Sequence, residues 1–272
     1  MYLSLSLSSL FSLSLYPCYC RSHPRLISLP GELYYKSELV PCAERSLVEN
    51  CLGFRGLTEA ARGRTPLLFH GVVGQDTRDA SSPSFFNPEE VVTVVEYIKL
   101  LLEDSELKVK EEEIGVISPY RRQCQKIRLK LEENEITVGT TEEFQGQERR
   151  VVILSTVRSN TDYVQLDHRA RIGFLKDRKR FNVAITRAQA LLIVIGNPNI
   201  LYQVTSHLSD SEINNYSVED SEWRQLLDYA QRLGCYQGCP FPSQGGVLGR
   251  TEARFAQQLI EEEEKATNTA SV

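Results

Sequence analysis

The sequence predicts an α/β fold: a mostly parallel sheet with helices on both of its faces. Three observations carry that expectation. From residue 67 onward, short runs rich in β-branched residues alternate with stretches of helical period, the order that builds a sheet from strand–helix–strand units. The strand-like runs are almost continuously apolar instead of alternating, as strands covered on both faces are. A chain of 272 residues with 41% apolar and 25% charged residues holds enough material for a large core and too much of it for a disordered protein.

In chain order, PLLFHGVV (66–73) reads as the first of these strands. A helix follows in PSFFNPEEVVTVVEYIKLLLED. Asn87 supplies its cap, Pro88 occupies the first helical position where a missing N–H costs nothing, acids fill the first turn, and apolar residues at 91, 94, 95, 98, 101 and 102 share a face. EIGVISPY (113–120) is a buried strand, RRQCQKIRLKLEEN (121–134) a helix, ITVGT (136–140) a strand and RVVILSTV (150–157) another. A helix over about 177–189 leads into ALLIVIGNP (190–198), the most apolar run and so the one expected at the sheet centre. Residues 158–176 show no strong period and read as an irregular loop, and 219–233 read as a last short amphipathic helix. Three segments result: an atypical 1–20, a folded 21–242 and a polar, mobile tail over 243–272. In open sheets of this class, binding groups are expected at the carboxyl ends of the strands.

The first 20 residues, MYLSLSLSSLFSLSLYPCYC, lack the basic start of a signal peptide, and Ser interrupts them too often for a membrane span. Their Leu/Ser alternation has a period of 2, and the segment is read as foreign to the fold, from an altered start of translation. Seven scattered cysteines suit a reducing compartment. CYQGC (235–239) has no partner pair at zinc spacing, so it reads as a tight turn with two buried thiols, and no metal site is predicted. Formal charge is −5 overall, but residues 118–190 hold 15 Lys and Arg against 9 Asp and Glu, a basic middle between acidic ends.

A nucleotide enzyme of this class usually shows a phosphate loop. Neither GxxxxGK[ST] nor GxGxxG after a strand occurs, and there is no Gly-Lys dipeptide anywhere in the chain. A dinucleotide-dependent oxidoreductase is excluded on the same ground. What the chain does hold is an ordered set of polar stretches at strand ends: CRSHP (20–24), ISPYRRQ (117–123), VGTTEEFQGQE (138–148), STVRSN (155–160) and KRFNVAITRA (179–188). Together they resemble the motifs of the second RecA-like domain of Upf-like superfamily 1 RNA helicases. FHGVVGQD, SPSFFNPEE, EEFQGQER and GCYQGCPFP are similar to the Armitage-type, Moloney-leukaemia-virus-ten-like branch. The resemblance covers about residues 21–242, and EEFQGQE followed about 40 residues later by RFNVAITRA is its most specific part.

The resemblance implies a RecA-like fold and ATP with Mg²⁺ as cofactor, bound between this domain and a first RecA-like domain that supplies the phosphate loop and metal-binding acids. By motif position it makes Arg187 the arginine finger and Arg21 a second γ-phosphate contact, roles suited to a planar guanidinium that never loses its charge. Glu148 corresponds to the acid that accepts hydrogen bonds from the nucleotide ribose, with Gln145 and Gly146 where the backbone turns close to the ligand. An aromatic residue that usually precedes the RSHP arginine and stacks on adenine is replaced here by Cys20. The same resemblance lines a single-stranded RNA track with Ser118, Pro119, Tyr120, Thr140, Thr156 and Arg158, whose hydroxyls, amides and charge would hold the backbone without reading sequence. Arg121 and Arg122 fit either that track or an ordinary solvated helix start. Asn182 and Val183 are expected to buttress the finger helix, His70 to be structural, and His168 falls in the loop. The implied partners are single-stranded RNA, ATP, a first RecA-like domain and proteins of RNA silencing or decay, with no membrane. The implied location is cytoplasmic, including ribonucleoprotein granules. An ATP-dependent motor half and a non-catalytic RNA-binding or docking module both remain compatible with these residues.

Overall fold

The computed structural model describes residues 18–78, 84–160, 174–203 and 221–242. The architecture below is that of the unit ending at Cys239; of the second, Pro240–Val272, only residues 240–242 are described. The remaining tail, most of the Leu/Ser segment, and the loop with His168 lie outside the described residues.

The elements run β1 (Cys18–Cys20), α1 (Pro24–Tyr34), β2 (Leu39–Pro41), α2 (Arg45–Val48), β3 (Leu67–Gly71), β4 (Thr77–Arg78), β5 (Phe85–Phe86), α3 (Pro88–Leu102), β6 (Ile114–Ile117), α4 (Arg121–Leu131), β7 (Thr137–Gly139), β8 (Arg149–Ser155), α5 (Arg178–Ile185), β9 (Ala188–Gly196), α6 (Pro198–Gln203), α7 (Glu222–Arg232) and β10 (Tyr236–Gly238). Six strands form the main sheet in the order β10-β3-β9-β8-β6-β7, and every neighbouring pair is parallel. β8 and β9 lie at its centre. Val151 to Leu154 of β8 and Leu191, Ile193, Val194 and Ile195 of β9 have no exposed surface, which accounts for their continuous apolar sequence.

Helices cover both faces. Leu67 of β3 and Leu192 of β9, opposite each other in register, line one small apolar gap with Leu26 and Leu29 of α1, Ile185 of α5 and Leu226 of α7. Three residues along β3, and so on the other face, His70 accepts a hydrogen bond at Nδ1 from the Tyr97 hydroxyl of α3 at 2.6 Å. Gln237 of β10 donates to that hydroxyl, leaving its proton for the imidazole, and burial lowers the His70 pKa. His70 is thus a structural residue. The α3 cap is the one the sequence predicts: the Asn87 side chain accepts from the Glu90 N–H at 3.2 Å with Pro88 next.

Several elements differ from expectation. α4 stops at Leu131 because Glu132 turns to a φ of +59°. α5 ends at Ile185, where the Thr186 N–H and hydroxyl take the Asn182 carbonyl, so residues 188 and 189 belong to β9. The CYQGC stretch is more than a tight turn: its middle residues form β10, the sixth strand, with Cys235 buried and Cys239 half-buried, both as free thiols. β1 takes in the last three residues of the Leu/Ser segment and pairs with β2 in parallel. α1 has no clean helical signature because Pro30 and Gly31 interrupt it. It forms because the His23 imidazole caps the Arg25 N–H, Pro24 starts the helix, and Leu26, Ile27 and Leu29 bury against the sheet.

Candidate functional site

The residues singled out by motif fall into two groups at opposite ends of the same strands. Glu148 stands just before β8 and Arg187 just before β9, so the nucleotide candidates occupy the amino edge of the sheet and not the carboxyl edge expected from fold class. Their placement is local chain geometry. Asp177 caps α5 by accepting from Lys179 and Arg180, and Phe181 locks the helix against Trp223 of α7 with ring centroids 4.8 Å apart. Six residues after Phe181, Arg187 stands at the rim, just before the chain enters β9. There the guanidinium, half-buried, folds back on its own segment: Nε donates to the Val183 carbonyl at 3.1 Å, one terminal nitrogen to the Gln147 carbonyl at 3.4 Å and the other to the Thr186 hydroxyl at 2.9 Å. Val183 supports the arginine through that carbonyl, and Asn182 braces the helix by donating to the Tyr35 hydroxyl at 3.0 Å.

Arg21 reaches the same rim because the His23 N–H bonds the Gln189 carbonyl of β9 at 2.8 Å. Its guanidinium is 71% exposed and lies 3.3 Å from the Glu148 carboxylate, which also accepts from the Gln189 amide at 3.0 Å. A pair this exposed contributes little stability and exchanges readily for a better anion. Gln145 and Gly146 are exposed on the turn leading to Glu148. Gly146 has a φ of +79°, a conformation that any side chain would strain. The set of two guanidiniums, a carboxylate and a glycine turn fits the phosphate and ribose of a nucleotide. Among the described residues no group of three or more His, Cys, Asp or Glu is placed to hold a metal ion.

The VGTTEEFQGQE stretch connects the two ends of the sheet. It leaves β7 at the carboxyl edge and crosses the face over β6 and β7 to Glu148. Phe144, fully buried, lies where a Cβ on Gly115 would be only 2.7 Å from its ring, so glycine there is a packing requirement. At the start of the crossing, the Thr140 N–H donates to the Glu143 carboxylate at 2.8 Å and the Thr140 hydroxyl accepts from the Glu143 N–H at 3.4 Å.

At the carboxyl edge the RNA candidates do come together, but not all of them face outward. Pro119 and Tyr120 are half-buried at the surface, and Thr140 is 6% exposed. Four of the expected track residues, Ser118, Thr140, Thr156 and Arg158, have buried side chains. The Ser118 hydroxyl is turned inward, accepting from the Tyr120 N–H at 3.5 Å, and the Thr156 hydroxyl has no partner. Arg158 lies inside the protein, 3.0 Å from Asp76, with its guanidinium 3.8 Å from the Phe85 ring centroid and 4.9 Å from that of Tyr120. A cation stacked and paired in this way is structural.

Residues to which the motif reading gave no role hold this edge in shape. Val157 adopts a φ of +73°, costly for a β-branched residue, in a tight turn closed by the Arg158 N–H on the Thr156 carbonyl at 2.9 Å. Surrounding groups compensate. The Glu90 carboxylate accepts from the Val157 N–H at 2.9 Å and from the Ser155 hydroxyl at 2.6 Å, while the Asn87 amide donates to the Val157 carbonyl at 3.1 Å. Gln123 donates to Ser155 at 2.9 Å, and Asp76 accepts from the Ser159 N–H at 3.1 Å. Burial pushes the Glu90 carboxyl up to about 8, against the pull of the hydrogen bonds from Ser155 and Val157. One signal could have found Glu90: it lies four residues before Val94 and eight before Ile98, on the apolar stripe of α3 and not on its solvated side.

Residues 12–199 match the AAA domain family. The chain is 45% identical over 225 residues to RNA helicase Mov10l1 of Homo sapiens, an alignment that covers 82% of this chain and 17% of that protein. It is 44% identical over the same length to RNA helicase Mov10l1 of Mus musculus, again over 82% and 17%. With the Regulator of nonsense transcripts 1 homolog of Neurospora crassa it shares 28% identity over 265 residues, 88% of this chain and 22% of that one. The chain thus spans about a fifth of the length of the relatives it matches. With both motif edges in place on a parallel sheet and these relatives covering most of its length, the chain belongs to the Upf-like superfamily 1 RNA helicase family, in the Moloney-leukaemia-virus-ten-like branch.

Proposed function

We propose that the chain is the second RecA-like domain of an ATP-dependent RNA helicase, supplying an arginine finger and a γ-phosphate contact at one edge and half of a single-stranded RNA track at the other. The observation that carries this reading is the separation of the two groups along β8. Glu148, with Arg187 and Arg21 beside it, precedes the strand, and the 156–160 loop, beside Pro119, Tyr120 and Thr140, follows it about 23 Å away, the length of seven extended residues. A rigid parallel strand joins the two, so a shift of the domain against a partner at the nucleotide edge moves the RNA edge with it. Arg187 and Arg21 act on phosphate charge, Glu148 orients the ribose, and the phosphate loop and Mg²⁺ ligands come from the first RecA-like domain. The relatives' names point to an RNA substrate, and RNA silencing or decay in the cytoplasm is the setting this reading favours. Among the described residues no helix is long and apolar enough to cross a membrane.

Two measurements on the chain as given test the proposal together. Fluorescence anisotropy should show weak binding of unrelated single-stranded RNAs, with log affinity falling linearly against log salt by about 0.7 per phosphate contacted. A phosphate-release assay should show no RNA-stimulated turnover, because a finger without a positioned triphosphate has nothing to stabilise. Strong preference for one RNA sequence, absence of a salt slope, or turnover that survives repurification and vanishes in Arg187→Ala would each contradict it.

A further inference from the structure

The β4–β5 ribbon has no role in the reading above, yet it packs directly on the RNA edge. Phe85 meets Tyr120 edge-to-face, with centroids 6.1 Å apart and planes at 77°, and the Ser84 hydroxyl accepts from the Arg122 N–H at 3.1 Å, fixing the ribbon to the start of α4. Cations surround the two aromatic rings. The Arg78 guanidinium lies 6.0 Å from the Phe85 centroid, the Lys126 ammonium lies 4.6 Å from that of Phe86, and Arg121 and Arg122 open the helix between them. Arg78 and Arg121 are exposed, Arg122 and Lys126 half-buried. Among the described residues of this patch, 77–78, 84–86 and 119–126, there is no acid. Of the two acids that adjoin strand β4 in sequence, Asp76 is buried and paired with Arg158, and Asp79 lies outside the described residues.

We propose that the β4–β5 ribbon and the first turns of α4 extend the single-stranded RNA track sideways from Tyr120, with Arg78, Arg121, Arg122 and Lys126 meeting phosphates. The inference rests on the RNA reading of the carboxyl edge and lengthens that track. The chemistry favours RNA over an acidic protein surface for two reasons. Positive groups interleaved with aromatic rings match a strand that alternates phosphates with stacking bases, and the patch is continuous with Tyr120 at the RNA edge. The rings also hold the Arg78 and Lys126 side chains near fixed positions, which reduces the ordering cost of binding.

The test compares three forms of the full chain: unmodified, the triple variant Arg78→Ala, Arg121→Ala, Lys126→Ala, and a charge-matched control, Arg45→Ala, Arg55→Ala, Lys110→Ala, remote from this patch. Binding of a fluorescent oligouridine is measured across a salt series, with melting temperature read on each form. The triple variant should flatten the slope of log affinity on log salt by about 2, three contacts at about 0.7 each, and bind about tenfold or more weakly at low salt, with its melting temperature unchanged. The control should keep the parent slope. Equal slopes for parent and triple variant, or equal losses in triple and control, overturn the inference and leave the RNA reading intact. A parent chain with no salt-dependent binding overturns both. A poly-glutamate peptide bound as tightly as RNA, and lost in the triple variant, would assign the patch to an acidic protein partner and also overturn it.

Discussion

Arg187→Ala is expected to lower kcat by about 10³-fold or more in a protein that joins this domain to a phosphate-loop domain, while nucleotide affinity changes far less. The guanidinium now satisfies itself on Val183, Gln147 and Thr186, so it must leave those acceptors when the domains close on ATP. Its charge therefore contributes mainly in the transition state. Arg187→Lys should rescue little, because an ammonium cannot reproduce the planar fork. Glu148→Ala should behave differently and weaken nucleotide binding through the ribose. Removing the Arg187 bond to the Val183 carbonyl also costs stability, on the order of 1 kcal/mol for a half-exposed hydrogen bond, far too little to imitate the kinetic loss. A stable Arg187→Ala protein with kcat within about twofold of the parent would contradict the finger assignment.

Asp76→Ala is expected to destabilise the domain by about 3–5 kcal/mol, because it takes the Asp76 carboxylate away from the buried Arg158 guanidinium and removes the acceptor of the Ser159 N–H. Urea denaturation of the chain measures it. Replacing both partners, Asp76→Ala with Arg158→Met, should recover much of the loss, since two neutral groups bury at less cost than a cation that has lost its carboxylate. RNA affinity of the folded Asp76→Ala protein should also fall, because the 156–160 loop loses one of its fixed points. A loss below about 1 kcal/mol would contradict the weight given to the Asp76–Arg158 pair.

The difference between these two arginines shows where sequence reading succeeds and where it stops. The position of Arg187 is legible because it follows from order along the chain: a helix with a cap, a buried Phe181 face and a strand entry leave the residue between them at a rim, while its role rests on the motif resemblance. The strands of the sheet were legible for the same reason, as apolar runs with helices between them. Arg158 sits in a motif just as clear, yet its partner Asp76 is 82 residues away and its stacking ring Phe85 belongs to a two-residue strand with no periodicity to detect. Burial of a charge depends on such tertiary pairing, which local pattern does not encode. β10 was missed because three residues between cysteines carry no strand signal, and pairing with β3 supplies all of its order. The placement of the nucleotide candidates at the amino edge also escaped a rule based on fold class, because the turns entering β8 and β9 carry them, not the turns leaving those strands.

The claim on which the rest depends is that one edge of the sheet meets RNA while the other meets nucleotide. Photo-crosslinking of the chain to single-stranded RNA carrying 4-thiouridine, followed by mass-spectrometric mapping of modified peptides, tests it most directly. Crosslinks are expected in peptides containing 119–120, 140 and 159–160, and none at 145–148 or 187–189. Crosslinks concentrated at Arg21, Glu148 and Arg187, with the carboxyl edge unmodified, would contradict the assignment of the two edges.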